Sequence, residues 1–567
     1  MAVACTRGAA YWEWAKSSAL FFRVTRAGRP QYVQIARSYR DAGVVKQQTL
    51  LSLGRLDALQ ASGQLDALLR SGLRLSRRLA VLDAQAAGQT QAVAVRKIGP
   101  DLVFGRLWEQ TGIATVLAEL LAGRRYEFEV ERAVSLTVLH RLFASGSDRA
   151  AERWREADRI AGTEALELHH LYRAMAFLGQ PLPHQPGTLG NPRCVKDWME
   201  EARFERQRDL FTGVDLVFFD TTSIYFEGQG GQTLGRHGHS KDHRSDLPQM
   251  VVGFVLDSQG RPLCGELWPG NTTDVKTLLP VVDRLRERFR VREICVLADR
   301  GMISRKVLAE LEAATPPVRY IPGARMRRQQ EVSETVLRTV GVWQEVYPER
   351  TFRKDPAPLN VREVLVQGRR YIVCLNEEER RKDAQDRAAI VAHLRQQLKQ
   401  GDKSLVGNKG YRRYLKLEGA GHFAVDEDRL AAEARFDGLW VLRTNTDYPP
   451  ATVALQYKGL WRVEALIRTT KSILETRPIY HKCDATLRGH VFCSFLALLL
   501  KTELERRLAE QGQAWEWAEV LRGLDHLQEV EVAFRGRRYL LRSQLLGDAH
   551  QALRAAGVAV PPTIREL

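Results

Sequence analysis

Three acidic residues define the chemistry open to this chain. Asp220 closes the apolar run Leu216-Val217-Phe218-Phe219, and Asp299 closes Val296-Leu297-Ala298. A carboxylate at the end of a buried strand sits at the rim of a sheet, and one such aspartate is commonly structural. Two on neighbouring strands would converge within reach of a shared cation. Oxygen ligands suit Mg²⁺, and two ions about 3.5–4 Å apart clamp the attacking and leaving oxygens of a phosphodiester. Such a site needs a third acid from another element. Glu464 supplies it. In a helix expected over about 450–475, Tyr457, Glu464 and Lys471 recur every seven residues. Each step returns to within about 20° of the last, so the three share one stripe. A glutamate between a tyrosine and a lysine suits a face that holds metal and grips phosphate. On spacing alone it is equally a solvated surface stripe.

The surrounding pattern supplies the frame for these acids. Strands are expected at 216–220, at 249–256 (closed by the turn 257–260) and at 262–267. A helix over 275–289 opens on Thr272-Thr273-Asp274, oxygen side chains where a cap and first turn favour them. A strand at 293–299, a helix at 304–314 and a strand at 318–321 follow. The order βββαβαβ is that of a ribonuclease-H-like core. This is an α/β fold in which an antiparallel meander and two crossovers build a mixed sheet.

Residues 325–435 interrupt that order as a strand-rich insertion. It has strands at 361–366, 370–375 and 423–425, and a helix at 377–400 that is polar nearly all round, a solvated bridge or arm. A strand at 439–442, the helix at 450–475 and an apolar helix at 484–508 follow. Upstream, 20–54 reads as a β-meander with turns at 27–30 and 41–43, then a helix or two over 57–82 and a linker at 83–97. Helices are expected at 101–121 and 128–144, and a third is capped by Thr163. The tail holds a hairpin at 529–541 with a basic turn at 535–538. The expected domains are 1–95, 96–208, 209–324, 325–449, 450–510 and 511–567.

Charge suggests the partner. The 567 residues carry 85 Lys and Arg against 68 Asp and Glu, a net +17, with 44% hydrophobic and 27% charged residues. That is the mix of a globular protein. The first 80 residues hold 13 cations and four acids, a net +9, which suits a polyanion such as nucleic acid. Thr221 and Thr222 can hydrogen-bond a carboxylate or a phosphate. Arg236, His237, His239, Lys241, His243 and Arg244 form a glycine-punctuated loop. It reads as DNA-contacting rather than metal-binding, because no cysteine joins the histidines and cations outnumber Asp242 and Asp246. Arg300, Arg325, Arg327 and Arg328 are expected backbone contacts. The adjacent His169 and His170 face different ways on a helix and read as surface or core histidines. Seven cysteines without a CxxC argue against a zinc ribbon or a disulfide framework, and fit reduced thiols in the cytoplasm. The start has no apolar signal core. The longest apolar stretch, 491–500, is well short of the roughly 20 residues a spanning helix needs.

At the level of whole words the chain resembles the DDE transposases of bacterial insertion sequences. The group is that whose third-acid helix reads Y-x2-R-x3-E-x6-K (the insertion-sequence-four group), and within it the sixteen-thirty-four branch. The matching words are DTTSIYFEG (220–228), GRHGHSKDHRSD (235–246), PGNTTD (269–274), VLADRGM (296–302), YKGLWRVEALIRTTKSILETRPIYH (457–481) and GHVFCSFLALLL (489–500), together with the N-terminal stretch 32–54. The resemblance spans about 20–505.

It implies that Asp220, Asp299 and Glu464 bind two Mg²⁺ ions, with Mn²⁺ able to substitute. It implies that Tyr457 and Lys471 position phosphate, and that the chain cuts terminal inverted repeats and joins them to target DNA. The signature arginine falls on Leu460, so this chain departs there. Arg468, one turn beyond Glu464, or the nearby Arg462 is expected to supply the charge. Trp440 to Thr444 resembles a W-x-x-x-T motif whose tryptophan engages a flipped base during hairpin formation. Base stacking is worth about 1–3 kcal/mol, although a strand tryptophan is also an ordinary core residue. Arg300, Thr222, Lys241 and Arg244 complete the expected DNA contacts. Cutting two ends in register implies a homodimer or higher on DNA, at the bacterial nucleoid in the cytoplasm. A catalytically inactive DNA-binding protein, or a nuclease that does not join, stays open as an alternative.

Overall fold

The computed structural model describes residues 19–28, 30–41, 44–73, 75–88, 90–183, 192–207, 216–291, 293–347, 358–400, 414–418, 422–472, 474, 476, 479–512 and 515–567. Arg7, Lys16, Arg29 and Arg74 of the basic N-terminal count, and the turn residues Ala42 and Gly43, lie outside the described residues.

Strands β1 (Ala19–Arg26), β2 (Gln31–Asp41) and β3 (Val44–Arg55) form the expected antiparallel meander in that order. Three helices follow where one or two were expected: α1 (Leu56–Ala61), α2 (Gln64–Leu73) and α3 (Arg77–Ala86). The presumed linker at 83–97 contains a strand, β4 (Gln91–Lys97). Its alternating valines pair well on a pleated surface despite their small neighbours.

The expected helix at 101–121 is interrupted. After a π-turn come α4 (Arg106–Gln110) and α5 (Ile113–Leu121), separated at Gly112. Its φ of 77° is a left-handed conformation that suits glycine. Then come α6 (Val130–Phe143), α7 (Asp148–Ala157), α8 (Leu168–Leu178) and α9 (Val195–Arg206). Thr163 does not cap α8. Its hydroxyl donates to the Ile160 carbonyl, and Glu167 holds the N-cap position.

The central sheet has the predicted βββαβαβ order. Its elements are β5 (Leu216–Tyr225), β6 (Gln249–Asp257), β7 (Pro262–Pro269), α10 (Leu278–Glu287), β8 (Cys295–Ala298), α11 (Arg305–Ala313) and β9 (Arg319–Pro322). They lie in the order β7-β6-β5-β8-β9. β5–β6 and β6–β7 are antiparallel, and β5–β8 and β8–β9 parallel. Both faces are covered, which is why these strands read as continuous apolar runs. The side-chain period of two divides β5. Phe218 and Ile224 enter the larger core with Phe254 and Phe495, whereas Val217 and Phe219 enter a second core with Val281 and Leu308 of α10 and α11. On that second side Arg284, 2% exposed, pairs with Glu200 (2.5 Å) and Glu266 (2.6 Å), tying α9, α10 and β7 together. Removing one partner would strand a buried charge.

The insertion comprises β10 (Gln344–Val346), β11 (Leu359–Val366), β12 (Arg369–Leu375), α12 (Glu377–Gln400), β13 (Leu415–Glu418), β14 (His422–Val425), α13 (Glu427–Ala434) and β15 (Leu439–Thr444). Its main sheet runs β10-β11-β12-β15. β15 lies beside the chain leaving β9: the Ala324 amide donates to the Val441 carbonyl (2.7 Å), and Gly323 bridges Leu442.

The expected helix at 450–475 is two helices, α14 (Pro450–Lys458) and α15 (Trp461–Ser472). The long buried α16 (Asp484–Glu510) follows, then α17 (Trp517–Asp525), β16 (Gln528–Phe534), β17 (Arg537–Arg542), α18 (Ala549–Ala556) and β18 (Ile564–Glu566). Internal contacts divide the chain into two units. One holds residues up to Val95 with Glu529–Ser543 and Pro561–Leu567, and the other holds Arg96–Gln528 with Gln544–Val560. The tail hairpin β16–β17 thus belongs with the N-terminal segment, in the sheet β18-β17-β16-β4 around Val81, Val532 and Tyr539. No helix among the described residues is long and apolar enough to cross a membrane.

Candidate active site

Strand register brings the first two acids together. The parallel β5–β8 pairing ends at Phe219↔Ala298, so Asp220 and Asp299 are the next residues on neighbouring strands. Asp220 is not at a strand end, as the sequence suggested. β5 runs on through Tyr225, paired with β6, because Thr221 to Tyr225 is β-branched or aromatic enough to extend it. Only β8 stops at its acid.

Glu464 lies in the first turn of α15. The turn at Gly459–Leu460 between α14 and α15 is tightened by i→i+3 bonds, Leu460 N to Tyr457 O and Val463 N to Leu460 O. Gly459 is needed there because a Cβ would meet the Phe218 ring at 2.6 Å. Tyr457 and Glu464 therefore do not share one continuous helical stripe. The bend nonetheless puts both on one cavity of about 260 Å³, lined by Asp220, Asp299 and Glu464, by Tyr457 and Leu460, and by Trp440, Lys458, Trp461 and Glu379.

The electrostatics follow from this convergence. Burial pushes the Asp220 carboxyl up to about 6. Lys241 and the Thr221 amide (2.7 Å) pull it down, and the charges of Asp299 and Glu464 raise it. Burial also raises the Tyr457 phenol well above its ordinary range, reinforced by Asp299 and Glu464 against Arg300. Tyr457 is therefore a neutral hydroxyl donor beside two carboxylates. Its hydroxyl lies where a Cβ on Gly323 would come within 2.6 Å, so glycine is needed for that close approach.

Other anticipated residues fall at varied distances from the acids. Arg468 is exposed on α15, one turn past Glu464. Arg462 turns away: its guanidinium donates to the Ser258 carbonyl (2.6 Å). Lys471 pairs with Asp242 (2.8 Å). Trp440, on β15 opposite Cys374, lines the acid cavity with the Lys458 ammonium 5.7 Å from its ring centre. Thr222 is buried on β5. Arg244 is tied to Asp246 (2.9 Å) and lies over Tyr225. Arg300 is exposed in a neighbouring cavity of about 340 Å³ that shares Asp299 and includes Arg325, Arg327 and Arg328. Arg325 holds that loop through the Arg300 and Gly301 carbonyls, and Arg327 pairs with Glu433.

Sequence reasoning missed Lys458 and Trp461 as lining residues because one continuous helix was expected where the chain turns at Gly459, and it missed Glu379 because the helix at 377–400 read as a solvated arm. It read Asp274 only as a helix-opening group. Asp274 does begin the 3-10 turn that leads into α10, and its carboxylate also accepts from the Thr221 hydroxyl (2.8 Å) and pairs with Lys241 (3.3 Å).

The acid cavity suits a hard divalent cation. Four carboxylates, those of Asp220, Asp299, Glu464 and Glu379, line it, and no imidazole or thiol does. A second cluster, Asp148, His481 and His490, has ligand atoms within 4.8 Å of one another. It does not fit a metal, because the Arg141 guanidinium lies 2.9 Å from His490 Nδ1 and puts a fixed cation where the ion would sit.

Comparison with known proteins gives the family. Residues 213–500, half of the chain, match the family model described as transposase DDE domain. The chain belongs to the DDE transposases, enzymes that cut DNA and transfer strands with divalent metal ions. Residues 22–86 match the model described as IS1634 family transposase, N-terminal domain, so the chain is a transposase of an IS1634-like insertion sequence. No curated protein matches. Two solved structures are similar in part. One is the piggyBac transposase synaptic complex with hairpin DNA, at 11% identity over 76% of this chain and 78% of that one, TM-score 0.32. The other is the Mos1 transposase paired-end complex with left transposon end, at 12% identity over 33% and 58%, TM-score 0.13.

Proposed function

We propose that Asp220, Asp299 and Glu464 hold two Mg²⁺ ions, with Mn²⁺ able to substitute, in a ribonuclease-H-like core. On this reading the chain cuts the terminal inverted repeats of its own element and joins them to target DNA. The carrying observation is that the three carboxylates line one cavity: Asp220 on β5, Asp299 just past the end of the neighbouring parallel β8, and Glu464 in the first turn of the helix that follows the Gly459 turn. Bound cations would supply charge neutralisation and an activated oxygen nucleophile.

The protein side chains do the rest. Asp220, Asp299 and Glu464 serve as ligands. Tyr457 donates its hydroxyl to a phosphate or sugar oxygen at the cut. Arg468, exposed beside Glu464, takes the phosphate contact that Leu460 cannot make. Arg300 and its neighbours carry the strand leaving the acids, and Trp440 offers its indole to an unpaired base. Lys471, held by Asp242 at the end of α15, positions that helix instead of contacting phosphate. The basic N-terminal unit recognises the repeats, and two copies act together on paired ends. DNA is the partner, and the bacterial nucleoid the place.

The test is joining of pre-cut ends that carry the repeat flanking the gene. A joined product with Mg²⁺, absent in Asp220→Asn and in Glu464→Gln while DNA binding persists, supports the reading. Cleavage without joining would reduce the protein to a nuclease, and binding with neither to a repressor.

A further inference from the structure

The basic loop between β5 and β6 was expected to touch DNA. Its charges are engaged within the protein instead. Arg236 donates to the Gly235 and Gln232 carbonyls, and Arg244 pairs with Asp246. The two residues at its centre reach the two elements that carry Asp220 and Glu464.

Lys241 reaches the sheet. Its ammonium donates to the Thr221 carbonyl (2.7 Å) and the Thr221 hydroxyl (3.0 Å), and pairs with Asp274 at 3.3 Å. Its amide donates to the Ser223 hydroxyl (2.8 Å). Both contacts fall on β5, on either side of Thr222 and immediately after Asp220. Asp242 reaches the helix. Its carboxylate accepts from Lys471 at 2.8 Å, with both side chains only 12% exposed. Lys471 lies on α15, two turns beyond Glu464. Between them the loop is locally fixed. The Ser240 hydroxyl accepts from the amides of Asp242 (3.3 Å) and Arg244 (3.0 Å), and His243 adopts a left-handed φ of 58°, which non-glycine residues seldom do.

We propose that Lys241 and Asp242 form a clasp that sets the separation of Asp220 and Glu464. Both are positioning residues, and Lys241 acts in this role rather than by contacting DNA. The inference rests on the proposed metal-binding role of the acids. The reason for a clasp lies in the topology. Asp220 is fixed by two flanking strands, but Glu464 arrives on a short helix entered through the bend at Gly459, and nothing in the sheet ladder sets its height. Consecutive loop residues joined to β5 and to α15 tie the two carriers through one peptide unit. A misplacement of 1 Å in such a site can lower the rate about 100-fold.

The test uses the full chain with Lys241→Met, Asp242→Asn, their double variant, and Lys241→Arg and Asp242→Glu as conservative counterparts. Four quantities are read: affinity for a pre-cut duplex carrying the flanking repeat, the salt dependence of that affinity, the joining rate at saturating DNA and Mg²⁺, and Mn²⁺ binding without DNA by electron paramagnetic resonance. The clasp predicts that neither single variant weakens DNA binding, and that Lys241→Met leaves the salt slope unchanged. Each single variant lowers the saturated joining rate about tenfold or more. The double variant falls no more than about twofold below the worse single, because both residues serve one link. Asp242→Asn weakens Mn²⁺ binding about threefold or more, and Asp242→Glu recovers part of the rate.

Weaker DNA binding with a salt slope reduced by about 0.9 for Lys241→Met, at an unchanged saturated rate, would make Lys241 a phosphate contact and overturn the proposal. Unchanged rates in both variants, or losses that multiply in the double, would also overturn it. Should Lys241→Met not fold, the two Asp242 variants decide alone. If the unaltered chain neither binds Mn²⁺ nor joins ends, the failure lies with the metal-site reading, and that is seen before any variant is compared.

Discussion

Substituting Gly323 by alanine should damage the active site through one atom. The added Cβ would lie 2.6 Å from the Tyr457 hydroxyl, 3.5 Å from Tyr457 Cζ and 3.5 Å from Arg300 Cβ. Heavy atoms prefer about 3.5 Å or more, so only the hydroxyl is too close, by about 0.9 Å. The tyrosine packs against the core and must shift with α14, next to the turn that carries Glu464. A displacement approaching 1 Å at the reacting centre is worth about tenfold to a hundredfold in rate, and the crowding about 1–3 kcal/mol in stability. The assay is joining of pre-cut ends at saturating DNA, with urea midpoints alongside. In the Tyr457→Phe background the nearest ring atom is at ordinary contact distance, so Gly323→Ala should then change the rate by no more than about twofold. An equal loss in both backgrounds would refute the reasoning, because the damage would then not pass through the hydroxyl.

Arg468→Ala should lower the salt slope of DNA binding by about 0.9, one phosphate contact, whereas Arg462→Ala should leave it unchanged, since that guanidinium is held at the Ser258 carbonyl. Replacing the exposed Arg26, Arg37 and Arg40 of the meander by glutamine should flatten the slope by up to about 2.7, with joining at saturating DNA largely kept. Asp158 is buried, neither carboxylate oxygen has a hydrogen-bond partner among the described residues, and burial pushes its carboxyl up to about 7. The folded state then binds more protons than the unfolded between about pH 4 and 7, so stability falls as pH rises through that window and is flat above it. Asp158→Asn should remove the fall, gaining up to about 4 kcal/mol at pH 8 and little at pH 4 by urea unfolding.

The sequence made the sheet legible because each core strand is buried on both faces and bounded by turns, so the βββαβαβ order and the α12 boundaries could be read directly. It misjudged elements whose limits depend on tertiary contacts. β4 has small residues and is a strand because it pairs in the sheet of the tail hairpin. The break between α14 and α15 follows from Gly459 lying against Phe218, a contact between residues distant in sequence. Within the site, acids and aromatic residues carried by recognisable words were visible. The engagement of Lys241 with Asp274, and of Lys471 with Asp242, was not, because a charged loop residue looks the same in sequence whether it faces a phosphate or a carboxylate.

The central claim is that Asp220, Asp299 and Glu464 form one divalent-cation site. It is tested most directly by Mn²⁺ titration of the full chain bound to pre-cut ends, read by electron paramagnetic resonance. The account predicts strong binding that Asp220→Asn, Asp299→Asn and Glu464→Gln each weaken about tenfold or more, while Arg468→Ala does not. Mn²⁺ binding that survives all three substitutions, or is lost only when His481 or His490 is replaced, would contradict it.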